Sequence, residues 1–238
     1  MLRKNRWRFK IRHQAGVIKT PKGVLMPIIV IGGIKGGSGK TTIASNLAVI
    51  RSIQGKRKVL LVDADEQKSA SDWAEHRESM EINTPWTTVS LLGSSVRTQL
   101  LKMAKDYDDV IVDTGGRDTS SQRSALTVTN IFLAPFQPRS LDVWTIGKVS
   151  ALLNEIRTVN PHIKAFAIIN RRDPQGTDNE GAAEILSESE GITYLNTGIG
   201  QRKAFANAAA EGLGVIELKV KDKKAESEIA QLCRTLFQ

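Results

Sequence analysis

The apolar residues of this chain follow two alternating patterns. One consists of short, uninterrupted apolar runs, which predict strands at residues 27–33, 58–63, 86–92, 109–113, 130–136 and 165–170, with a shorter one at 192–195. Strands without polar alternation are typical of a parallel sheet that is covered on both faces. The runs therefore predict a buried sheet inside an α/β domain.

The other pattern places apolar residues every three or four positions. It predicts helices at residues 40–54, 69–80, 96–105, 120–127, 141–159, 179–189, 201–210 and 223–237. Gly55 follows the first of them, where a helix C-cap is expected. Alternating strands and helices imply right-handed crossovers. The predicted fold class is thus α/β, a mostly parallel twisted sheet with helices on both faces, with ligands at the carboxyl ends of the strands.

Composition excludes several classes of protein. The sequence has 238 residues, 40% of them hydrophobic, which is enough for one domain, predicted to span residues 26–238. Cys233 is the single cysteine of the sequence, so a disulfide framework or a paired-cysteine metal site is excluded. No apolar run reaches the length of a membrane span, and no apolar core of a secretion signal follows the basic N-terminus. We expect a cytoplasmic protein with no membrane partner.

The charge is concentrated at the N-terminus. The formal charge is +9, and residues 1–25 hold eight basic residues and no acidic one, which leaves 26 basic against 25 acidic residues in the remainder. Such a segment predicts a disordered basic arm. The alternative is an over-called start, because Met26 stands directly before the first strand, and the codons of Lys22, Gly23 and Val24 can spell a ribosome-binding sequence.

A glycine-rich segment follows the first predicted strand and opens the first helix. It consists of Lys35, Gly36, Gly37, Ser38, Gly39, Lys40, Thr41 and Thr42. Glycines let backbone N–H groups curl around phosphates, and a helix N-terminus adds partial positive charge there. Lys40 is expected to reach the β- and γ-phosphates, and the Thr41 hydroxyl to bind Mg²⁺. The segment predicts a site for ATP and Mg²⁺.

Two later strands end in aspartate at the same edge of the predicted sheet. The strand at 109–113 ends at Asp113, before Gly115 and Gly116, which is a Walker B pattern. Asp113 is expected to hold Mg²⁺ through water, and the glycines to let the loop respond to the γ-phosphate. The strand at 58–63 ends at Asp63, with Asp65 two residues on. Such a pair is alternatively a helix cap, but beside a phosphate loop we favour function.

The glycine-rich segment departs from the ordinary pattern G-x-x-x-x-G-K-[ST]. Ile34 stands where the first glycine would, and Lys35 opens the loop. This deviant Walker form resembles the ParA/MinD family of ATPases, and the resemblance to small ParA partition proteins covers about residues 27–237. In that family the first lysine crosses to the partner's nucleotide in an ATP-sandwich dimer. The resemblance therefore implies that role for Lys35, in trans, much as an arginine finger acts.

Further stretches carry the resemblance. Residues 62–73 look like the ParA element V-D-x-D-P-Q-x-S-x-x-x-W, with Glu66 in place of proline. The resemblance implies that Asp63 positions the attacking water. Asn170 ends a later strand and resembles the family's adenine-contacting asparagine, although a structural turn is an alternative. Residues 135–142 look like the segment near the dimer interface and the base.

Residues 199–216 resemble the stretch of small ParA proteins implicated in non-specific DNA binding. The candidate phosphate contacts are Arg202, Lys203, Lys219 and Lys221, and a solvated basic surface is the alternative. The resemblance implies that an ATP-bound homodimer associates with nucleoid DNA. It also implies a ParB-like adaptor that stimulates hydrolysis and releases the dimer.

The function implied by the resemblance is ATP-dependent partition of a plasmid or chromosomal locus. The same mechanism with a protein cargo, such as a carboxysome or a chemoreceptor cluster, is a close alternative. Alternatives of another class are a metabolic P-loop ligase of the dethiobiotin synthetase kind and a MinD-like membrane ATPase. The single cysteine argues against the nitrogenase iron protein, which needs paired cysteines.

Overall fold

The strands of the protein form one parallel sheet. A computed structural model describes residues 27–138, 144–175 and 177–237, so the predicted arm at residues 1–25, together with Met26, lies outside the described residues. The strands are β1 Ile28–Ile31, β2 Val59–Ala64, β3 Thr87–Ser90, β4 Asp109–Thr114, β5 Ile131–Phe136, β6 Lys164–Arg172, β7 Thr193–Tyr194 and β8 Ile199–Gly200. Their order is β3-β2-β4-β1-β5-β6-β7, and β8 pairs with β6.

Helices cover both faces of this sheet. They are α1 Lys40–Val49, α2 Ser69–Ser79, α3 Ser95–Met103, α4 Ser120–Leu126, α5 Ile146–Arg157, α6 Asp178–Ser187, α7 Lys203–Ala210 and α8 Lys223–Leu236. Successive β1 residues point to opposite faces, so that Ile28 and Val30 pack with α3 to α6, while Ile29 and Ile31 pack with α1, α2, α7 and α8. The predicted α/β class with both faces covered is confirmed.

The register brings three strand ends together. Ile31 of β1 pairs with Asp113 of β4, and Asp113 in turn lies beside Asp63 of β2. Both aspartates therefore lie at the carboxyl edge of the sheet, next to the loop that follows β1. Ligands of open parallel sheets bind at this edge. Within the described ranges, no helix combines the length and the apolar character that crossing a bilayer requires.

Several predicted boundaries shift. The first helix ends at Val49 and continues as a π-helical turn, Ile50–Gln54, after which Gly55 keeps a right-handed conformation and Lys56 adopts the positive φ of 50° instead. The helix predicted at 141–159 runs over Ile146–Arg157, and residues 141–143 lie outside the described residues. The short strand β8 was not predicted, because two residues carry no apolar pattern.

An aromatic pair fixes α2 against the end of the sheet at β3. Trp73 of α2 stacks on Trp86, which precedes β3, with ring centroids 5.6 Å apart and planes 7° from parallel. The guanidinium of Arg77 lies 4.8 Å from the Trp86 ring centre. Arg77 is 1% exposed and also donates to the Glu217 carboxylate and to the Gly212 carbonyl. This buried cluster thus ties α2 to residues 212–217, which follow α7.

Candidate nucleotide-binding site

The loop between β1 and α1 has the backbone that phosphate binding requires. Gly37 and Gly39 have φ angles of 76° and 88°, in the left-handed region that side chains rarely adopt. Across the loop, Gly116 packs so tightly on the backbone of Lys35 and Gly36 that a Cβ on it would stand 2.5 Å from Gly36 Cα. The predicted loop therefore lies directly against the turn that follows β4.

The side chain of Lys40 crosses the inside of this loop. Its Nζ donates to the Lys35 carbonyl oxygen at 3.0 Å, and the residue is 7% exposed. Desolvation lowers the pKa of Lys40, while the carboxylates of Asp113 and Asp65 oppose that shift. A phosphate group would give this buried ammonium the anionic partner that the loop carbonyl does not supply.

The two predicted magnesium ligands meet at the base of the loop. The Thr41 hydroxyl donates to Asp113 Oδ2 at 2.6 Å. Burial raises the pKa of Asp113 to about 7, with the Thr41 hydrogen bond acting in the opposite direction. Its Oδ1 is buried and has no hydrogen-bond partner within the described ranges. A hydroxyl beside a carboxylate with an unused oxygen fits Mg²⁺, which takes few protein ligands and completes its shell with water and phosphate.

The two aspartates after β2 have different environments. Asp63 is 0% exposed, and its two oxygens accept hydrogen bonds from the backbone N–H groups of Asp65 and Ser71, at 3.1 and 2.8 Å. Asp65 is half-buried and lines a polar cavity of about 320 Å³ together with Gly36 and Gly115. Asp63 therefore shapes the turn into α2, which is the helix-cap alternative, while Asp65 is the carboxylate beside the phosphate loop.

Two glutamines hold the loop from either side. Gln122 is 0% exposed, and its Oε1 accepts from the Gly33 N–H at 3.0 Å and from the Thr114 hydroxyl at 2.9 Å. Gln137 donates to the Gly37 carbonyl at 2.9 Å. Gln122 was not among the predicted site residues, because no sequence signal links it to Gly33, 89 residues away, whereas Gln137 lies in the predicted segment at 135–142. Of the predicted interface segment at 135–142, residues 139–142 lie outside the described residues.

Asn170 also contacts the loop. Its Nδ2 donates to the Ser38 carbonyl at 2.6 Å, and its side chain occupies the space that a Cβ on Gly39 would need. Asn170 borders a cavity of about 490 Å³ at the start of α1, together with Thr42, Ile43 and Phe205. The cavity is contiguous with the phosphate loop and partly apolar, as an adenine site requires. Asn170 thus combines a structural contact with a position at the predicted base site.

The four predicted DNA contacts have unequal surroundings. Arg202 forms a two-pronged ion pair with Glu228, at 2.6 and 2.9 Å. Lys221 donates to the Ile216 carbonyl and lies 3.5 Å from Glu226. Lys203 and Lys219 are exposed, and neither is within ion-pair distance of an acidic group in the described part of the chain. Two of the four cations are therefore engaged by the protein itself.

Comparison with known proteins places this geometry in a family. The profile of the CobQ/CobB/MinD/ParA nucleotide binding domain matches residues 29–215. The maintenance of carboxysome distribution protein A of Halothiobacillus neapolitanus is 28% identical over 207 residues, which cover 86% of this chain and 93% of that protein. Protein ParA of Rhizobium radiobacter is 30% identical over 189 residues, 76% of this chain and 81% of that protein.

Solved structures have the same fold. The structure of apo McdA from Cyanothece has a TM-score of 0.74 at 18% identity and covers 90% of this chain and 100% of its own. Cobyrinic acid a,c-diamide synthase from Mycobacterium smegmatis, with bound ATP analogue and magnesium, has a TM-score of 0.73 at 17% identity, over 90% of this chain and 94% of its own.

These findings confirm the predicted P-loop fold and the prediction of an ATPase of the ParA/MinD type with ATP and Mg²⁺ as cofactors. The residues described above fit both ligands, since the loop offers Lys40 to phosphates and the pair of Thr41 and Asp113 to the cation. The profile covers well over half of the sequence, from the first strand to the turn after α7. The chain belongs to the CobQ/CobB/MinD/ParA family of nucleotide-binding domains.

Proposed function

We propose that this ATPase positions a cargo by cycling between an ATP-bound dimer on nucleoid DNA and a released ADP form. The observation that carries the proposal is the deviant loop itself. Lys35 is exposed at its mouth, while Lys40 lies buried across its interior. One lysine is thus built into the site of its own chain, and the other is presented outward, as a sandwich dimer requires.

Each group near the loop then has a distinct task. Lys40 and the loop N–H groups bind and orient the phosphates, and Lys35 reaches the nucleotide of the second subunit. Thr41 and Asp113 would hold Mg²⁺, which neutralises phosphate charge when bound. We transfer the water-positioning role predicted for Asp63 to Asp65, because both oxygens of Asp63 already accept backbone hydrogen bonds and Asp65 borders the cavity beside Gly36.

DNA binding is proposed on charge and exposure. Lys203 at the start of α7 and Lys219 before α8 are exposed cations without an acidic neighbour at ion-pair distance in the described ranges. Such side chains contact backbone phosphates without reading sequence. Arg202 contributes less, because Glu228 already neutralises it.

The names of the relatives indicate which classes of cargo are candidates. One relative is named for carboxysome distribution and another is a ParA protein. We propose either a plasmid or a protein assembly as the cargo, recognised through a small adaptor that stimulates hydrolysis. The adaptor distinguishes these two kinds of cargo, because it binds DNA if the cargo is a plasmid and binds the protein assembly otherwise.

The proposal is tested by nucleotide-dependent assembly. Light scattering after size exclusion should give a dimer with ATP and a monomer with ADP. Retention on DNA of unrelated sequences should require ATP and fall steeply as salt rises. A protein that hydrolyses ATP but ignores DNA at low salt would instead fit the metabolic ligase alternative, and sedimentation with anionic vesicles would support the MinD-like one.

A further inference from the structure

The loop after β4 is anchored at both ends. At its start, the Thr114 hydroxyl lies within hydrogen-bond distance of the Ile31 carbonyl oxygen and of Gln122 Oε1, at 3.2 and 2.9 Å. At its end, the Thr119 hydroxyl oxygen accepts from the Gln122 N–H as the N-cap of α4. Four residues lie between these anchors, namely Gly115, Gly116, Arg117 and Asp118. Their position is therefore set by the same glutamine that holds the phosphate loop.

The loop also lies tightly against Asp65 and against the phosphate loop. A Cβ on Gly115 would stand 2.9 Å from Asp65 Oδ1, and one on Gly116 would overlap the Lys35–Gly36 backbone. A side chain at Gly116 would require the backbone to move, and one at Gly115 would displace the Asp65 carboxylate. Arg117 is the first residue after them that carries a side chain, and it lines the polar cavity that Gly36 and Asp65 also line.

Arg117 is exposed and has no ion-pair partner within 4.0 Å in the described part of the chain. The adjacent carboxylate of Asp118 pairs instead with Arg123, from which it accepts two hydrogen bonds of 2.7 Å, and Glu155 accepts a third from the same guanidinium. The neighbouring arginine is thus neutralised twice. Arg117 is thus an exposed guanidinium at the edge of a cavity beside the phosphate loop.

We propose that Arg117 is a further catalytic residue, which contacts the terminal phosphate of the nucleotide bound to its own chain. The inference rests on the proposed function. In hydrolysis the water oxygen bonds to the γ-phosphorus while the bond to the β–γ bridging oxygen breaks, giving ADP and inorganic phosphate with the protons of water. A planar guanidinium stabilises the charge on the γ-oxygens during this transfer. Lys35 then comes from the partner, and Arg117 from the chain that binds the nucleotide.

Nucleotide affinity tests the contact without any adaptor. In Arg117→Ala, the affinity for the slowly hydrolysed analogue ATPγS should fall about tenfold or more, as loss of a charge-assisted hydrogen bond predicts. The affinity for ADP should stay within about twofold, since ADP lacks the γ-phosphate. The ATPγS affinity of Arg117→Lys should lie between those of Arg117→Ala and the wild type, because lysine keeps the positive charge but cannot donate two parallel hydrogen bonds as the guanidinium does. The matched control is Arg234→Ala, an exposed arginine on α8.

Hydrolysis by mixed dimers tests which chain supplies the arginine. Arg117→Ala should lower turnover about a hundredfold. If Lys35 acts in trans and Arg117 in cis, one site of a dimer between Lys35→Ala and Arg117→Ala subunits is complete. An equal mixture should then recover about a quarter of the wild-type rate, because half of the dimers are mixed and half of their sites are intact. An arginine acting in trans leaves no complete site and restores nothing.

The outcomes separate the two proposals. If the wild type does not bind ATP, the proposed function fails. If the wild type binds and hydrolyses ATP, and Arg117→Ala matches it in ATPγS affinity and in turnover, only the assignment of Arg117 fails. An equal loss of ATPγS and ADP affinity in Arg117→Ala also overturns it, since that result means a structural role in the loop. Absence of recovery in the mixed dimers overturns the combination of Lys35 in trans and Arg117 in cis.

Discussion

The phosphate-binding edge and the segment at residues 199–221 both carry many polar groups, but they use them differently. At the edge, the buried groups are paired only in part, since Asp113 keeps one unused oxygen and Lys40 has a loop carbonyl as partner. In the segment, Arg202 and Lys221 are engaged by Glu228 and Glu226. The nucleotide site is thus distinguished by buried polar groups that lack part of their hydrogen-bond partners, not by the number of charged residues.

Among the tests of this difference between the two regions, the largest effect is expected from substitution of Lys40. Lys40→Ala removes the buried ammonium that is proposed to bind the phosphates, and ATP affinity should fall about a hundredfold or more. Isothermal titration with ATP measures this, and Lys102→Ala, an exposed lysine of α3, serves as control. Equal ATP affinity of Lys40→Ala and wild type would remove the phosphate-loop assignment.

A second test distinguishes the catalytic role proposed for Asp65 from the structural role of Asp63. Asp65→Ala should bind ATP and remain a dimer that does not turn over, because the carboxylate beside the cavity is lost. Asp63→Ala should instead lower the free energy of unfolding by about 1–3 kcal/mol, since two buried backbone N–H groups lose their acceptor.

Urea unfolding and phosphate release, measured on both variants, separate these effects. Normal turnover in Asp65→Ala, together with a stable but inactive Asp63→Ala, would return the catalytic role to Asp63.

In the segment at 199–221 the expected effects are smaller. Lys203→Ala and Lys219→Ala should each weaken DNA binding about equally on all sequences and reduce the salt slope by about 1. Arg202→Ala should change the slope less, because its charge is already balanced by Glu228. Filter binding across a salt series measures the slopes. A larger slope change for Arg202→Ala than for Lys203→Ala would show that the ion pair opens on DNA.

The smallest effect is expected from the basic N-terminal segment. A protein that starts at Met26 should keep ATP-dependent dimerisation and hydrolysis, because the first strand, the phosphate loop and both strand-end aspartates all follow Met26 in the sequence. A reduced salt slope of DNA binding would support the basic arm, and an unchanged slope would support an over-called start. Loss of dimerisation on truncation would assign these residues to the fold.

The sequence predicted those parts of the site whose functional residues are neighbours in the chain. The loop from Lys35 to Thr42 is contiguous, so its glycines and lysine could be identified directly. The meeting of Thr41 and Asp113 followed from the rule that parallel strands end at one edge. The resemblance gave the water-positioning role to Asp63, but the sequence did not show that Asp63 accepts the backbone N–H of Ser71, because that contact depends on the turn into α2.

Contacts distant in sequence were not predictable. Gln122 meets Gly33 across 89 residues, and Glu228 meets Arg202 across 26. Neither pair has a periodic signal or a motif, since each depends on how a helix is placed on the finished sheet. For the same reason the number of basic residues near the C-terminus did not show which of them remain available to a ligand.

The stacked tryptophans give the molecule an optical probe of its own. Trp73 belongs to α2, which starts just after the aspartates at the phosphate edge, and Trp86 stands directly before β3. Two indoles this close and nearly parallel couple their electronic transitions, and the coupling changes with their separation and angle. Circular dichroism in the indole absorption bands would therefore follow any displacement of α2 during turnover in unlabelled protein, with Trp73→Phe supplying the uncoupled reference spectrum.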